Sequence, residues 1–177
     1  MCSRFRGVVV ATILIFGLFS SRYAIASPAW EKVYTTTSEA LNHVFPTATH
    51  VSSRNITVPF HHEPITMYHG FQNDVDLGTA YVINEKGKYR PITMFIHLTP
   101  SQVLGEIIVM VYREKIGGSV RKRRFLNQFI GKDKSHPIKV NQDIDGITGA
   151  TVSSWSVARA SKKVLLLADE TQNKVHL

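Results

Sequence analysis

The sequence contains very little cysteine, with Cys2 as the single thiol among 177 residues. A single thiol can form neither a disulfide framework nor a cysteine-rich metal site. No Cys-x-x-Cys-His motif occurs, so covalent c-type haem is excluded as well. Any redox chemistry performed by this chain therefore needs another cofactor.

Long apolar runs and a broad basic stripe are also lacking. The apolar run at residues 7–20 is shorter than the roughly 20 residues that a membrane-spanning helix needs. The hydrophobic content of 44% and the charged content of 19% are those of an ordinary globular chain. Positive charge is concentrated at residues 121–124 with a few further lysines, and no nucleic-acid-binding motif accompanies it. We therefore predict no nucleic-acid partner.

The N-terminal segment is typical of an export signal. Arg4 and Arg6 precede the apolar run, and Ala24-Ile25-Ala26 supplies small residues at a cleavage site. The pattern predicts a Sec signal peptide over residues 1–26, cleaved after Ala26, and a periplasmic mature protein. An uncleaved membrane anchor is the alternative. Cleavage would lower the formal charge from +8 to +5, since it removes three arginines and no acid.

The remaining sequence predicts an α+β fold in which a mainly antiparallel sheet packs with helices. We expect an N-terminal extension over residues 27–74, a main domain over 75–170 and a C-terminal tail over 171–177. The predicted helices cover residues 38–45, capped by Thr36 or Thr37, residues 121–130 and residues 152–169. The predicted strands cover residues 55–60, 78–85, 89–98, 105–113 and an edge strand at 135–140, with a hairpin turn at residues 86–88.

The segment Asp-Gly-Ile-Thr-Gly-Ala-Thr-Val-Ser-Ser at residues 145–154 places hydroxyl side chains at the first turn of the last predicted helix. Free backbone N–H groups and the positive end of the helix dipole meet there, which favours a bound phosphate. Gly149 and Ala150 are small enough for a bulky group to approach the backbone. A capped helix start with nothing bound is the alternative, because Thr and Ser favour helix N-termini anyway.

This segment resembles the acceptor motif of the FMN-binding domain family, which includes flavin subunits of Rnf and Na⁺-pumping NADH:quinone reductase complexes. The family pattern is Asp, two variable residues, Ser or Thr, Gly-Ala-Thr, and Ser or Thr two places later. The resemblance implies covalent FMN on Thr151 through a phosphoester, donated from FAD by a Mg²⁺-dependent flavin transferase outside the cytoplasm. The residues that match the pattern in order are Asp145, Thr148, Gly149, Ala150, Thr151 and Ser153.

The resemblance extends over roughly residues 78–168 and includes the FMN-binding domain of nitrous-oxide regulator-type proteins. Those domains carry Arg-Glu-x-x-Gly and Phe-x-x-Gln-Phe-x-Gly-Lys segments, which correspond here to residues 113–117 and 125–132. The resemblance thus adds Glu114, Gly117 and Phe129 to the expected cofactor-binding residues. Ser154, from the hydroxyl-bearing turn at residues 145–154, is also expected to be among them. Rnf-type members have Glu-Thr-Pro-Gly at the turn, where this chain has Lys and Ile after Glu114, so ion pumping and NADH oxidation are not implied.

Several side chains keep two interpretations at this stage. Tyr112, Phe125, Phe129 and Trp155 are either walls of a flavin site or ordinary core residues. Glu114 either holds backbone amides near the Thr151 turn or belongs to an ion pair.

The basic residues 121–124 either neutralise the flavin phosphate or form a solvated helix face. His61 and His62 would point to opposite faces of a strand, so we predict no metal site from the His-His-Glu run.

The expected function is that of an electron-transfer protein, which relays electrons between a membrane-bound redox protein or cytochrome and a periplasmic acceptor. A non-catalytic accessory or sensing module is the alternative. An enzyme with its own organic substrate is less well supported, because the sequence predicts no second catalytic domain. We identify no catalytic residues.

Overall fold

The computed structural model describes residues 30–58 and 63–175 of the protein. The predicted signal peptide lies outside the described residues, as do His61 and His62. The strands are β1 (Lys32–Val33), β2 (His50–Ile56), β3 (Ile65–Gln72), β4 (Val75–Lys86), β5 (Pro91–Leu98) and β6 (Leu104–Tyr112). The helices are α1 (Thr37–Val44), a 3₁₀-helix (Gly118–Arg121), α2 (Arg123–Leu126) and α3 (Thr151–Val175).

All strands pair antiparallel in one sheet with the order β1-β6-β5-β4-β3-β2. From β2 to β6, each strand is therefore the neighbour of the next strand in the sequence. The short strand β1 lies at the far edge beside β6, with Lys32 opposite Tyr112. The predicted α+β fold is confirmed, and the segment before α1 is brought next to the end of β6.

Helices cover both faces of the sheet, which explains why β5 is buried along nearly its whole length. Ile92, Met94 and Ile96 share the larger core with α3, whereas Phe95 belongs to the smaller core beneath α1. Alternate residues of a strand point to opposite faces, so a strand covered on both sides reads as a continuous apolar run.

The last helix follows its sequence pattern closely. Val157, Ala160, Val164 and Leu167, which the pattern placed on one stripe, are all buried in the larger core. The helix begins at Thr151, one residue before the predicted start. It continues to Val175, so residues 171–175 of the predicted tail are helical.

The first helix is also confirmed, with its N-terminus fixed by Thr36. The Thr36 hydroxyl accepts a hydrogen bond from the Glu39 amide at 3.2 Å, and the Glu39 carboxylate accepts one from the Thr36 amide at 2.7 Å. This reciprocal pair satisfies donors that a helix start otherwise leaves free. Pro46 follows the capping residue Phe45, and a proline at that place favours the end of the helix.

The predicted edge strand at residues 135–140 is wrong. Only Val140 pairs, through an isolated bridge to Ile144. The Asp143 carboxylate instead accepts hydrogen bonds from the amides of Ile138 at 3.1 Å and Lys139 at 2.7 Å. Because these donors are already engaged, the segment forms a closed loop and not a strand.

Two other predictions need adjusting. The helix expected at residues 121–130 is split into the 3₁₀-helix and α2, and tight turns follow in which Phe129 N–H bonds the Leu126 carbonyl at 3.1 Å. The strand expected at residues 55–60 overlaps β2 only at Asn55 and Ile56. The strands β1 and β3 were not predicted. The hairpin of β4 and β5 and the strand β6 are confirmed within a few residues.

Candidate functional site

A cavity of about 920 Å³ opens where the N-terminus of α3 meets the end of β6 and the turn between β4 and β5. This volume falls within the range of about 300–1,000 Å³ that small-molecule and cofactor sites occupy. The cavity is lined by Trp30, Lys88, Tyr89, Arg90, Arg113, Glu114, Lys115, Ile116, Gly149, Ala150, Thr151, Val152 and Ser153.

The N-terminal turn of α3 presents Thr151 to this cavity. The first helical hydrogen bond runs from the Ser154 amide to the Ala150 carbonyl at 2.8 Å, so the amides of residues 151–153 precede the helical ladder. Gly149 adopts a left-handed φ of 78°, and a side-chain carbon built there would meet nothing within 4 Å. Thr151 is exposed, and no acidic residue lies in the first turn. The turn therefore suits an anionic group close to the Thr151 hydroxyl.

Ser154 stabilises the turn through hydrogen bonds of its buried side chain. Its hydroxyl is fully buried, accepts a hydrogen bond from the Ile147 amide at 3.2 Å and donates one to the Ala150 carbonyl at 3.0 Å. Both bonding directions of the hydroxyl are used within the turn. Ser154 therefore shapes the site without lining the cavity.

Ser153 connects the turn to the end of β6. The Tyr112 hydroxyl donates to the Ile116 carbonyl at 2.6 Å, and the Ser153 hydroxyl lies 2.9 Å from the same phenolic oxygen. Since Tyr112 donates its only proton to Ile116, Ser153 donates to Tyr112. Burial raises the pKa of Tyr112, which keeps this donor protonated at neutral pH.

Gly117 is required by this contact, and it does not line the cavity. Its φ of 98° lies in the left-handed region that glycine adopts without strain. A side-chain carbon at this position would lie 2.6 Å from the Tyr112 hydroxyl oxygen and 2.7 Å from the Ser153 hydroxyl oxygen. The glycine therefore allows the chain to pass over the Tyr112–Ser153 pair.

Glu114 fixes the part of the cavity wall that the turn between β4 and β5 forms. Its buried carboxylate accepts hydrogen bonds from the backbone amides of Tyr89 at 2.6 Å and Arg90 at 3.0 Å. Of the two interpretations of Glu114, the structure supports the binding of backbone amides. These amides belong to the β4–β5 turn, however, and not to the Thr151 turn across the cavity.

The cavity carries an excess of positive charge. Lys88, Arg90, Arg113 and Lys115 line it, and Glu114 is the acidic residue among the lining residues. An anionic ligand, and a phosphate in particular, fits this balance of charges.

Residues 87–166 match the FMN-binding domain in a comparison with protein-family models. This part of the chain belongs to the FMN-binding domain family. The protein is therefore a flavin-binding protein, and FMN is its cofactor. No curated protein matches the chain. The matched range includes the β4–β5 turn, the end of β6 and the start of α3, which together form most of the cavity wall.

The residues of the cavity fit FMN. A flavin mononucleotide combines a phosphate with a large flat ring system, so it needs cations and helix amides at one end and aromatic or apolar surface at the other. The amides of residues 151–153 and the lining cations suit the phosphate. Trp30, Tyr89 and Ile116 supply aromatic and apolar surface.

The FMN-binding domain brings only some of the predicted residues to this cavity. Glu114, Gly149, Ala150, Thr151 and Ser153 line it, whereas the remaining predicted residues do not. Those outside the lining are Asp145, Thr148, Gly117, Ser154 and Phe129.

Phe129 is a core residue and does not line the cavity. Its side chain is fully buried, and its ring packs edge-on against Phe125 at a centroid distance of 5.4 Å. Tyr112 and Phe125 are likewise buried in the larger core. Trp155, which is 45% exposed, lies on α3 outside the cavity lining. Hydrophobic spacing alone does not separate these cases, because a core face and a ligand face show the same pattern.

Asp145 and Thr148 lie in the exposed part of the loop before α3. The Gln128 side chain holds the Asp145 backbone, accepting from its amide at 2.7 Å and donating to its carbonyl at 3.3 Å. Asp145 remains exposed in the loop that leads to the Thr151 turn. This placement leaves it accessible to a partner that approaches the turn.

The basic residues 121–124 do not line the cavity. Arg123 pairs with Glu106 at 3.0 Å, and the Arg121 guanidinium lies over the Tyr34 ring at 4.7 Å. Their side chains belong to an exposed surface. The interpretation of these residues as a solvated face is therefore the one that the structure supports.

Sequence reasoning missed eight of the lining residues, which are Trp30, Lys88, Tyr89, Arg90, Arg113, Lys115, Ile116 and Val152. The hairpin prediction could have located the three turn residues, because that turn lies within the family resemblance. Trp30 carries no such local signal.

Within residues 30–58 and 63–175, no group of three or more His, Cys, Asp or Glu side chains is arranged to hold a metal ion. None of the helices in these ranges is both long and apolar enough to cross a bilayer.

Proposed function

We propose that the protein is a periplasmic electron-transfer flavoprotein that carries FMN on Thr151 through a phosphoester bond. The observation that carries this proposal is the position of Thr151. It is an exposed hydroxyl residue at the N-terminus of α3, it lines a cationic cavity, and it lies within the matched FMN-binding domain.

Thr151 is the nucleophile in the attachment step. Its Oγ forms a bond to the phosphorus of the FMN half of FAD, the phosphoanhydride bond of FAD breaks, and AMP leaves. The hydroxyl proton is released, and nothing is oxidised or reduced. A Mg²⁺-dependent flavin transferase is the expected partner for this step. The amides of residues 151–153 and the lining cations compensate the charge of the resulting phosphodiester.

Bound FMN supplies reversible uptake and release of electrons. The chain's own contribution is to retain and surround it. A tether at Thr151 replaces bimolecular binding by a high effective concentration, which is useful where free FMN is scarce. A phosphoester leaves the ring system unsubstituted, so the redox potential depends on the cavity walls through stacking, hydrogen bonds and charge.

The partners that fit this proposal are a membrane-bound redox protein or cytochrome and a periplasmic acceptor. Lys88 and Lys115 are exposed lining residues, so an acidic partner surface is complementary to the cavity mouth. Export by residues 1–26 would place the protein in the same compartment as such partners.

The test is the flavin content of the protein isolated from its native periplasm. Intact mass should show one FMN less one water, and flavin fluorescence should stay with the protein on a denaturing gel. Thr151→Ala should lose both signals, whereas Thr171→Ala, at the other end of α3, should keep them. Flavin retained in the Thr151→Ala protein would overturn the attachment site.

An accessory or sensing module is the second candidate. Tyr89 and Ile116 favour it, because these lining residues are 78% and 77% exposed and give a partner an apolar contact surface at the cavity. The two roles differ in turnover. A carrier alternates between reduced and oxidised flavin while its donor is consumed, whereas a sensing module binds its partner without sustained electron flow.

A further inference from the structure

Trp30 is an unusual member of the cavity wall. Among the lining residues in the described part of the chain, it alone lies outside the matched range of residues 87–166. It belongs to the segment before β1, which the sequence assigned to an N-terminal extension. This extension therefore contributes a large aromatic side chain to a site that the family match does not predict.

The neighbours of Trp30 fix its position. Lys32 and Val33 pair with Tyr112 and Val111, so the chain just after Trp30 is an edge strand of the sheet. The Glu31 carboxylate lies 3.4 Å from the Arg113 guanidinium, and both side chains are mostly buried. These contacts attach the segment to the end of β6, beside the cavity.

The indole ring itself is supported by Arg90. The guanidinium carbon of Arg90 lies 3.7 Å from the centre of the Trp30 ring, which is close cation–π geometry. Two hydrogen bonds fix the Arg90 backbone. Its amide donates to the Glu114 carboxylate, and its carbonyl accepts from the Gly87 amide at 3.0 Å. Trp30 is thus a partly buried ring with the Arg90 guanidinium over one of its faces.

The aromatic lining residues are Trp30 and Tyr89. Tyr89 is 78% exposed, whereas Trp30 is partly buried between the β4–β5 turn and the end of β6. An indole is an electron-rich ring, and the oxidised isoalloxazine is flat and electron-poor, so the two favour stacked contact.

Resting on the proposed function, we infer that Trp30 packs against the isoalloxazine ring of the FMN on Thr151. The N-terminal extension is then part of the flavin site. A stacked indole passes an electron to the photoexcited flavin and receives it back, so it quenches flavin fluorescence without net oxidation.

The chain offers a matched control for this inference, because it contains only two tryptophans, Trp30 and Trp155. Trp155 lies one helical turn after Thr151 but outside the cavity lining. Full-length Trp30→Phe protein, with FMN attached, should show a severalfold rise in flavin fluorescence and a longer flavin lifetime. Trp155→Phe protein should match the wild type in both measurements.

The ratio of flavin to protein is measured in every sample, which separates the two hypotheses. Wild-type protein without covalent flavin would contradict the proposed function. Covalent flavin whose fluorescence is unchanged in Trp30→Phe, or brightened only in Trp155→Phe, would overturn the role of Trp30. Trp30→Leu is measured in parallel with circular dichroism, so that a folding defect in one variant does not decide the result.

Discussion

The Glu114 carboxylate and the backbone amide of Tyr89 are joined by a 2.6 Å hydrogen bond that links the end of β6 to the turn between β4 and β5. These two segments form neighbouring walls of the flavin cavity. The carboxylate is buried and also accepts from the Arg90 amide. Glu114 therefore helps to set the distance between these walls, together with the Arg113 side chain, which donates to the Pro91 carbonyl and the Thr93 hydroxyl.

We expect Glu114→Ala to lower the free energy of unfolding by about 1–3 kcal/mol, because it leaves two part-buried amide donors without their acceptor. Urea unfolding of the full-length protein measures this change. Glu106→Ala is the control, since Glu106 forms a more exposed pair with Arg123 and should cost less than about 1 kcal/mol. Equal effects of the two substitutions would show that Glu114 does not brace the cavity.

Two glycines of the site should respond differently to alanine. Both have φ in the left-handed region, but a side-chain carbon at Gly117 clashes with Tyr112 and Ser153, whereas one at Gly149 meets open space. Gly149→Ala should cost about 1 kcal/mol from backbone strain, and Gly117→Ala clearly more. Thermal unfolding measures both values. A larger loss for Gly149→Ala would contradict the described packing.

Replacement of Asp145 should affect flavin attachment more than folding. Asp145 is exposed in the loop that leads to the Thr151 turn, and Gln128 holds it through backbone hydrogen bonds. Asp145→Ala should keep the thermal unfolding midpoint within a few degrees but reduce the fraction of protein that carries FMN. Intact mass after co-expression with the transferase measures that fraction. Full loading would show that the transferase does not use this side chain.

Acid should loosen the loop that leads to the Thr151 turn. Burial raises the pKa of Asp143, but hydrogen bonds from the Lys139 and Ile138 amides and the contact with Lys132 outweigh it and hold the pKa below its ordinary value. Such a carboxylate stabilises the fold above its unfolded pKa of about 4, and this contribution is lost as the pH falls through the folded pKa.

Stability curves of wild type and Asp143→Asn, measured by urea unfolding across acidic pH, should therefore converge as the pH drops below about 4. The wild type should be the more stable protein at neutral pH. A constant difference between the two curves at every pH would rule out the ionised Asp143 as the cause.

Electron exchange with an acidic partner should depend on the lysines at the cavity. Lys88→Glu with Lys115→Glu should slow association, and the wild-type rate should fall with added salt, because charges are screened beyond about 10 Å at 0.1 M. Lys122→Glu with Arg124→Glu is the control of equal charge change on the exposed surface outside the cavity. Stopped-flow reduction measures the rates. A stronger effect of the control pair would move the docking surface to residues 121–124.

The sequence was most informative where local signals and burial agree. The apolar stripe of α3, the capping residue Thr36 and the turn near Gly87 each follow from short-range spacing, and the structure confirms them. The strand prediction for residues 135–140 failed because the Asp143 carboxylate accepts hydrogen bonds from the Ile138 and Lys139 amides, which a strand would need.

The walls of the cavity were harder to predict, because they depend on tertiary contacts. Phe129 and Trp30 are both aromatic, yet one is buried beneath α3 and the other reaches the cavity through the pairing of β1 with β6. A strand of two residues leaves almost no periodic pattern. Trp30 could therefore not be assigned to the site from sequence spacing.

The pairing of β1 with β6 and the docking of α3 also have a consequence for the order of folding. Trp30 and Thr151 are far apart in the sequence, and bringing such distant segments together costs loop-closure entropy. A chain in which β1 has not yet paired with β6 would therefore display the Thr151 motif before the cavity wall is complete. A flavin attached at that moment would become enclosed only when the last edge strand joins the sheet.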